Sequence, residues 1–316
     1  MLGGSGEVHQ EKEVPEAQSW VTSGTEREGR SLQNSCAVNQ QQLLQSTQVG
    51  GCLADHRATW HKVTNNRFVR QCIKGHLLEF NKRPHLVYKN RLHKTRPRSR
   101  EEELQIQKEV TSLLSKKAIE KAPNNKGFFS RLFVVPKADG GTRPIINLKP
   151  LNKFIKKEHF RMSTLKDVKK NLQPGDWAVT LDLKDAYLHV PVHRRHRRFL
   201  RFNFKGQAYQ FKTLPFGLTS APRVFTRVTK PLLHLCRRKG IRVVFYLDDI
   251  LILARTKQEL LTNAKVLIKW VNRLGFHLNM KKSNLNPSQS FQYLGLNWST
   301  VPLSVRLPLD KRQDIQ

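Results

Sequence analysis

The stretch that decides the fold is Ile241-Arg-Val-Val-Phe-Tyr-Leu-Asp-Asp-Ile-Leu-Ile-Leu-Ala254. Two short apolar runs, Val243–Leu247 and Ile250–Ala254, are separated only by Asp248 and Asp249. Runs this rich in β-branched and aromatic residues read as strands, and a two-residue gap reads as a tight hairpin with both aspartates at its turn. Their apolar residues are continuous rather than alternating with polar ones, so both faces of the hairpin are expected to be covered. Two unit charges ~4 Å apart repel by roughly 4 kcal/mol at an effective dielectric of about 20. A divalent cation, which favours carboxylate oxygen, would remove that penalty. Asp is also a common turn residue, so the pair alone leaves a plain structural role open.

Working outward, Trp177-Ala-Val-Thr-Leu-Asp182 reads as a strand ending in a third acid, and Leu183-Lys-Asp-Ala-Tyr187 as a turn into a short helix. The loop Leu214–Pro222 ends in a helix start, where Thr219 or Ser220 can cap and Pro222 suits the first turn. Val224, Val228, Leu232 and Leu235 then form an apolar stripe, and Gly240 closes this helix just before the hairpin. A second amphipathic helix is expected over 257–274, ending at Gly275, and Phe291–Leu296 holds a candidate strand pair. Further upstream, Glu101–Glu103 favour a helix N-terminus, Leu104, Val110, Leu113 and Leu114 continue it, and Pro123-Asn124-Asn125 should stop it. Leu132–Val135 and Arg143–Asn147 read as two strands around the turn Ala138–Gly141. Lys137 and Arg143 flank that turn as two cations suited to phosphate oxygens, although surface hairpins often carry such residues. The pattern is α+β.

Lys and Arg number 57 against 24 Asp and Glu, a formal charge of +33. That excess argues for a polyanionic partner, nucleic acid before membrane. No stretch approaches the ~18 apolar residues of a spanning helix, and no apolar signal core opens the chain, so a soluble intracellular protein is expected. Cys36, Cys52, Cys72 and Cys236 are scattered, which fits a reducing compartment. Cys52 with His56 and Cys72 with His76 offer four soft ligands, but at spacings that suit no common zinc module. Residues 1–60, with 4 Lys/Arg and 7 Asp/Glu, read as a disordered leader. Residues 61–100, with 12 Lys/Arg and the single acid Glu79, read as a basic linker whose densest part, Lys89 to Arg100, binds nucleic acid, directs nuclear import or is simply solvated. His189, His193 and His196 lie among arginines, where they are expected to face phosphate rather than metal.

Three convergent carboxylates, Asp182, Asp248 and Asp249, can hold two divalent ions ~3.5–4 Å apart, the chemistry of polymerases and nucleases alike. The remaining blocks choose between them. Phe-Val-Val-Pro-Lys137 with Arg143-Pro, Leu-Asp182-Leu-Lys-Asp-Ala-Tyr187, Leu-Pro-Phe216-Gly217-Leu-Thr-Ser-Ala-Pro, Tyr246-Leu-Asp-Asp249, Gly275 with Lys281-Lys282, and Tyr293-Leu-Gly295 follow one another. In that order and spacing, over about residues 101–300, the chain resembles the reverse transcriptases of retroelements, long-terminal-repeat and DIRS-like retrotransposons above all. Residues 1–100 match no part of that pattern.

The resemblance implies a right-hand polymerase with fingers over 101–158 and 190–220, and a palm over 159–189 and 221–298. The palm would be a split-βαβ sheet backed by helices. Residues 299–316 would begin a truncated connection to a thumb. It implies that Asp182, Asp248 and Asp249, with the carbonyl of Leu183, hold two Mg2+ ions, Mn2+ being an alternative. Lys137 and Arg143, with the N–H groups of Asp185 and Ala186, would grip the triphosphate of the incoming dNTP. Tyr187 would exclude a 2′-hydroxyl, Phe216 and Gly217 would shape the nucleotide pocket, and Tyr246, Leu294 and Gly295 would steady the primer end. Plain core packing is the alternative for Tyr187 and Phe216. The expected partners are an RNA or DNA template with its primer, dNTPs and the rest of a retroelement polyprotein carrying thumb and ribonuclease H. The expected function is RNA-directed DNA synthesis. The alternatives are an inactive nucleic-acid-binding remnant and a metal-dependent nuclease.

Overall fold

The computed structural model of the 316-residue chain describes residues 48–88, 99–136 and 142–308. Two short helices, α1 (Arg57–Val63) and α2 (Arg67–Gly75), precede the longer α3 (Arg100–Ser115) and strand β1 (Ile119–Lys121). The antiparallel pair β2 (Leu132–Pro136) and β3 (Thr142–Ile146) is followed by α4 (Lys149–Asn152), α5 (Leu165–Asn171) and β4 (Trp177–Asp182). Next come the hairpin β5 (Arg201–Phe204) and β6 (Gln207–Phe211), α6 (Ala221–Arg238), β7 (Arg242–Tyr246), β8 (Asp249–Ala254) and α7 (Lys257–Arg273). Four strands close the described chain: β9 (Asn284–Ser288), β10 (Ser290–Tyr293), β11 (Leu296–Thr300) and β12 (Leu303–Arg306).

The central sheet is antiparallel, with strand order β7-β8-β4-β9. In chain order this unit runs β4-α6-β7-β8-α7-β9, which is a split-βαβ arrangement with the first and third strands at the centre. The fold class is α+β. Side chains alternate across a strand, so one sheet buries two sets of residues. Val179, Leu181, Val243, Phe245, Ile250 and Ile252 share a core with Val224, Phe225, Val228 and Leu232 of α6 and with Leu260, Leu267 and Val271 of α7. Ala178, Val244, Leu251 and Leu253 instead meet Val168 of α5 and Phe291, Tyr293 and Trp298 of the β10-β11-β12 sheet. Continuous apolarity in the hairpin therefore reflects coverage on both faces.

Residues 48–88 depart from the expected leader and basic linker. Val49, Leu53, Trp60, Val69, Cys72, Ile73 and Leu78 are buried in the same core as the sheet and its helices. Composition obscures them in the sequence, because the helices are short and basic on their outer sides, although Val69, Cys72 and Ile73 recur at helical spacing. Residues 1–47 and 89–98, the rest of those two spans, lie outside the described residues. Helix α3 also stops sooner than Pro123, because Lys117 takes a positive φ of 57° and Ile119 pairs with Phe211.

The far end of the sheet is clamped by Asp176, which is fully buried. Its carboxylate accepts two hydrogen bonds from the Arg242 guanidinium, both 2.7 Å, and a third from the backbone N–H of Gln173. Removing one partner of such a pair strands the other in a poorly hydrated site. Asp176→Ala is expected to lower the unfolding free energy by about 3 kcal/mol, towards the low end for buried pairs because Arg242 keeps some water contact. Urea denaturation with an unchanged midpoint would contradict this.

Candidate active site

The hairpin between β7 and β8 places the acids. Tyr246 pairs directly with Asp249, so the two-residue loop is Leu247-Asp248, one position earlier than the expected Asp248-Asp249 turn. Leu247 takes a φ of 53°, a conformation that is costly for a branched residue and that tight hairpins require. The shift matters because side-chain direction has a period of two. As the first residue of β8, Asp249 shares a face with Leu251 and Leu253, away from α6 and α7. Asp182, the last residue of β4, is its direct partner on the neighbouring strand. Asp248 sits on the loop between β7 and β8, where its carbonyl accepts the Leu183 N–H at 2.9 Å.

Neighbouring segments fix this end of the sheet. The Asp182 N–H donates to Ser283 Oγ at 3.0 Å, and the Asn279 N–H donates to the Asp182 carbonyl at 2.8 Å. Lys184 N–H donates to the His277 carbonyl, and Leu183 bridges to Leu278. Beneath the hairpin, Tyr293 Oη lies 3.2 Å from the carbonyls of both Val244 and Asp249. Ser283 and Asn279 carry no motif that would flag them in the sequence. Only the fold brings them to Asp182, about a hundred residues away.

The electrostatics follow from crowding. Burial, then the charges of Asp248 and Asp182, push the Asp249 carboxyl up to about 6. Burial and Asp248 also raise Asp182, while Lys282 opposes both shifts. Asp182 and Asp249 line a cleft of about 200 Å³ with Lys282, Gln292 and the Leu294-Gly295 turn. Leu294 and Gly295 form a two-residue loop with φ values of 52° and 70°, between the paired residues Tyr293 and Leu296. Among the described residues, no three His, Cys, Asp or Glu side chains converge tightly enough to hold an ion as they stand. The donor chemistry nevertheless suits a hard divalent cation: carboxylates that repel one another at the rim of a cleft, with no soft ligand beside them.

The other expected residues fall into two groups. Tyr187 packs its ring 5.1 Å from Phe216 and 5.8 Å from Phe225, and burial with the Asp248 charge pushes its hydroxyl up to about 12. Gly217 has a φ of 91°, and its carbonyl accepts Asn152 Nδ2 at 2.8 Å. Asp185, at a φ of 50°, immediately precedes the short 3-10 turn Ala186–His189 and pairs with Lys116 Nζ at 2.9 Å. Arg143 lies on β3 opposite Val135, and Lys137 lies outside the described residues.

The histidines do not face phosphate as a group. His189 is fully buried, with Nε2 accepting the His277 N–H at 2.9 Å and Nδ1 3.0 Å from the Ala186 carbonyl; burial holds it neutral, at about 4. His196 Nδ1 accepts the Leu78 N–H. The candidate zinc ligands serve the fold too. Cys52 Sγ donates to the Gly275 carbonyl, His56 Nδ1 lies 3.0 Å from the Arg273 carbonyl, and Cys72 Sγ lies 3.6 Å from His76 Nδ1.

A carboxyl whose folded-state pKa lies above its unfolded value binds extra protons in the fold. Asp249 therefore favours the folded state as pH falls from about 6 towards the ordinary carboxylate range, and opposes it above 6. Asp249→Asn is expected to raise the melting temperature of the metal-free protein at pH 7 and to flatten its pH dependence below 6. A melting temperature that falls at pH 7 would contradict the raised Asp249 pKa in the fold.

A family model described as reverse transcriptase (RNA-dependent DNA polymerase) matches residues 135–298, just over half of the chain. The Transposon Tf2-3 polyprotein of Schizosaccharomyces pombe (strain 972 / ATCC 24843) is 27% identical over 155 residues, which is 49% of this chain and 12% of that polyprotein. The Tf2-7 polyprotein of the same organism is 26% identical over the same length. The chain thus spans about an eighth of the length of these curated relatives. The foamy viral protease-reverse transcriptase solved with double-stranded DNA superposes with a TM-score of 0.61 at 20% identity, covering 83% of this chain and 57% of that one. Its complex with an RNA/DNA hybrid gives 0.59 at 19% identity, with 83% and 37% covered. With its sheet order, its acidic hairpin and this match in hand, the chain belongs to the reverse transcriptase (RNA-dependent DNA polymerase) family.

Proposed function

We propose that this chain is the RNA-directed DNA polymerase part of a retrotransposon polyprotein, extending a primer 3′-hydroxyl with dNTPs on an RNA or DNA template. The observation that carries the reading is the direct cross-strand pairing of Asp182 with Asp249 beside the Asp248 loop. In this reading Asp182, Asp248, Asp249 and the Leu183 carbonyl hold two Mg2+ ions, with Mn2+ as a substitute. Such ions stabilise the attacking and leaving oxygens of nucleotidyl transfer. The protein's own task is to set groups in place and keep them there. Lys137, Arg143 and the N–H groups of Asp185 and Ala186 hold the triphosphate, and the Lys116–Asp185 pair steadies the turn that presents those N–H groups. Tyr187, backed by Phe216 and Phe225, is stiff enough to reject a 2′-hydroxyl. Gly217 leaves room beside Phe216, while Tyr246 and the Leu294-Gly295 turn support the primer end.

Fingers over 101–158 and 190–220 and a palm over 159–189 and 221–298 are the division that follows, with 299–316 leading on towards a thumb. Among the described residues, no helix is long and apolar enough to cross a membrane, and an intracellular site of action accords with the proposed substrates.

Primer extension on poly(rA)·oligo(dT) with Mg2+ tests the reading. Asp249→Asn and Asp248→Asn should each lower incorporation by about a hundredfold or more, as loss of charge at a transition-state stabilising site does. Tyr187→Ala should keep deoxynucleotide incorporation and admit ribonucleotides. Salt-sensitive binding without extension would leave a nucleic-acid-binding remnant, and template cleavage without synthesis would make the site a nuclease.

A further inference from the structure

The chain's positive charge is not spread evenly over the described structure. Helices α1, α2, α6 and α7 pack on one side of the central sheet and together carry fourteen Lys and Arg against a single acid, Glu259. Helix α3, by contrast, carries Glu101, Glu102, Glu103 and Glu109. On α7 the exposed cations Lys257, Lys265, Lys269 and Arg273 recur at multiples of four, a row that winds by roughly 40° per four residues around its exposed side. On α6 the exposed cations are Lys230, Arg237 and Arg238. Among the described residues, no ion pair neutralises any of these seven. Like charges four apart on a helix repel, and ordinary surfaces intersperse both signs. Two tryptophans carry cations of the row on their rings, Trp177 under Lys257 at 4.3 Å and Trp270 under Arg273 at 5.6 Å, and both are partly exposed.

This surface is not the catalytic cleft. Asp182 and Asp249 lie on the sheet face turned away from α6 and α7, and the cleft they line is built by β10 and the turn after it.

We propose that the outer side of α6 and α7 is a second nucleic-acid-binding surface, which takes the phosphate backbone of a strand other than the primer–template in the cleft. Spaced cations with adjoining aromatic rings suit a phosphate chain and its bases. A membrane surface fits less well, because membrane-surface helices also present an apolar face outward, and Leu261 is the large apolar residue exposed on α7.

The test uses the whole chain saturated with an unlabelled hairpin primer–template, titrated with a fluorescently labelled oligo(dT) strand and, separately, a labelled duplex. Anisotropy is followed across a salt series. The expected result is that a labelled nucleic acid binds the saturated protein. Lys230→Gln/Arg237→Gln/Arg238→Gln should then bind it about tenfold more weakly, with a log–log salt slope smaller by about 2. Lys265→Gln/Lys269→Gln should act in the same direction. The single-strand and duplex arms show which form the surface takes. Primer extension by these variants at low salt should match the parent chain, and a chain inactive in extension would leave the binding result standing. The proposal fails if the hairpin displaces the labelled strand completely, if the salt slope is unchanged in both variants, or if the substitutions weaken binding to phosphatidylserine vesicles but not to either nucleic acid.

Discussion

The structure depends on the register of three adjacent strands. Because side-chain direction repeats every two residues, placing Val243 and Phe245 against α6 places Val244 on the opposite face, and the same rule governs β8 and β4. Two separate cores, one under helices and one under a second sheet, hold that register from both sides. Asp182 and Asp249 occupy the ends of strands whose apolar residues are already committed to a core. Their proximity is thus imposed by burial of apolar neighbours, which overrides the repulsion between them. Burial first, and then the charge of Asp248, displaces both carboxyls upward in the folded protein, with Asp182 adding to the shift at Asp249.

A second layer of restraint reaches the same place from the loops. The segment after α7 donates to or accepts from Asp182, Lys184 and His189, and the Tyr293 hydroxyl supports the hairpin from below. Most of these bonds involve backbone groups, so the position of the acidic cluster rests on chain path more than on side-chain identity. Electrostatics and packing act here at different ranges: packing sets where the carboxylates are, and charge sets what they can attract.

Much of this was legible in the sequence. The strands Trp177–Asp182 and Val243–Ala254, the helices over 221–238 and 257–273 and the hairpin after Phe291 carry strong local signals: β-branched runs, apolar stripes and Gly stops. The turn was misplaced by one residue because Asp is the better turn former, whereas the actual register puts Leu247 in the left-handed conformation. The N-terminal helices were missed for another reason. Their outer faces are basic and their apolar residues few, so composition pointed to a linker while Trp60, Val69 and Ile73 were serving a core assembled from residues far along the chain. His189 likewise stood among arginines in sequence but under Phe276 and His277 in space.

The end of α7 has an unusual provision. Its last carbonyls, on Arg273, Leu274 and Gly275, are met by His56, the Trp60 indole N–H and the Cys52 thiol, while Gly275 itself lies so close to the His56 ring that a β-carbon would collide with it. The span that the family model matches begins at residue 135, more than fifty positions downstream of all three donors. A chain trimmed to that span would leave those acceptors beside bare apolar surface, and the helix terminus that leads into His277 and Asn279 would fray. A segment that keeps this helix end covered therefore reaches upstream of the family-model match, far enough to include Cys52.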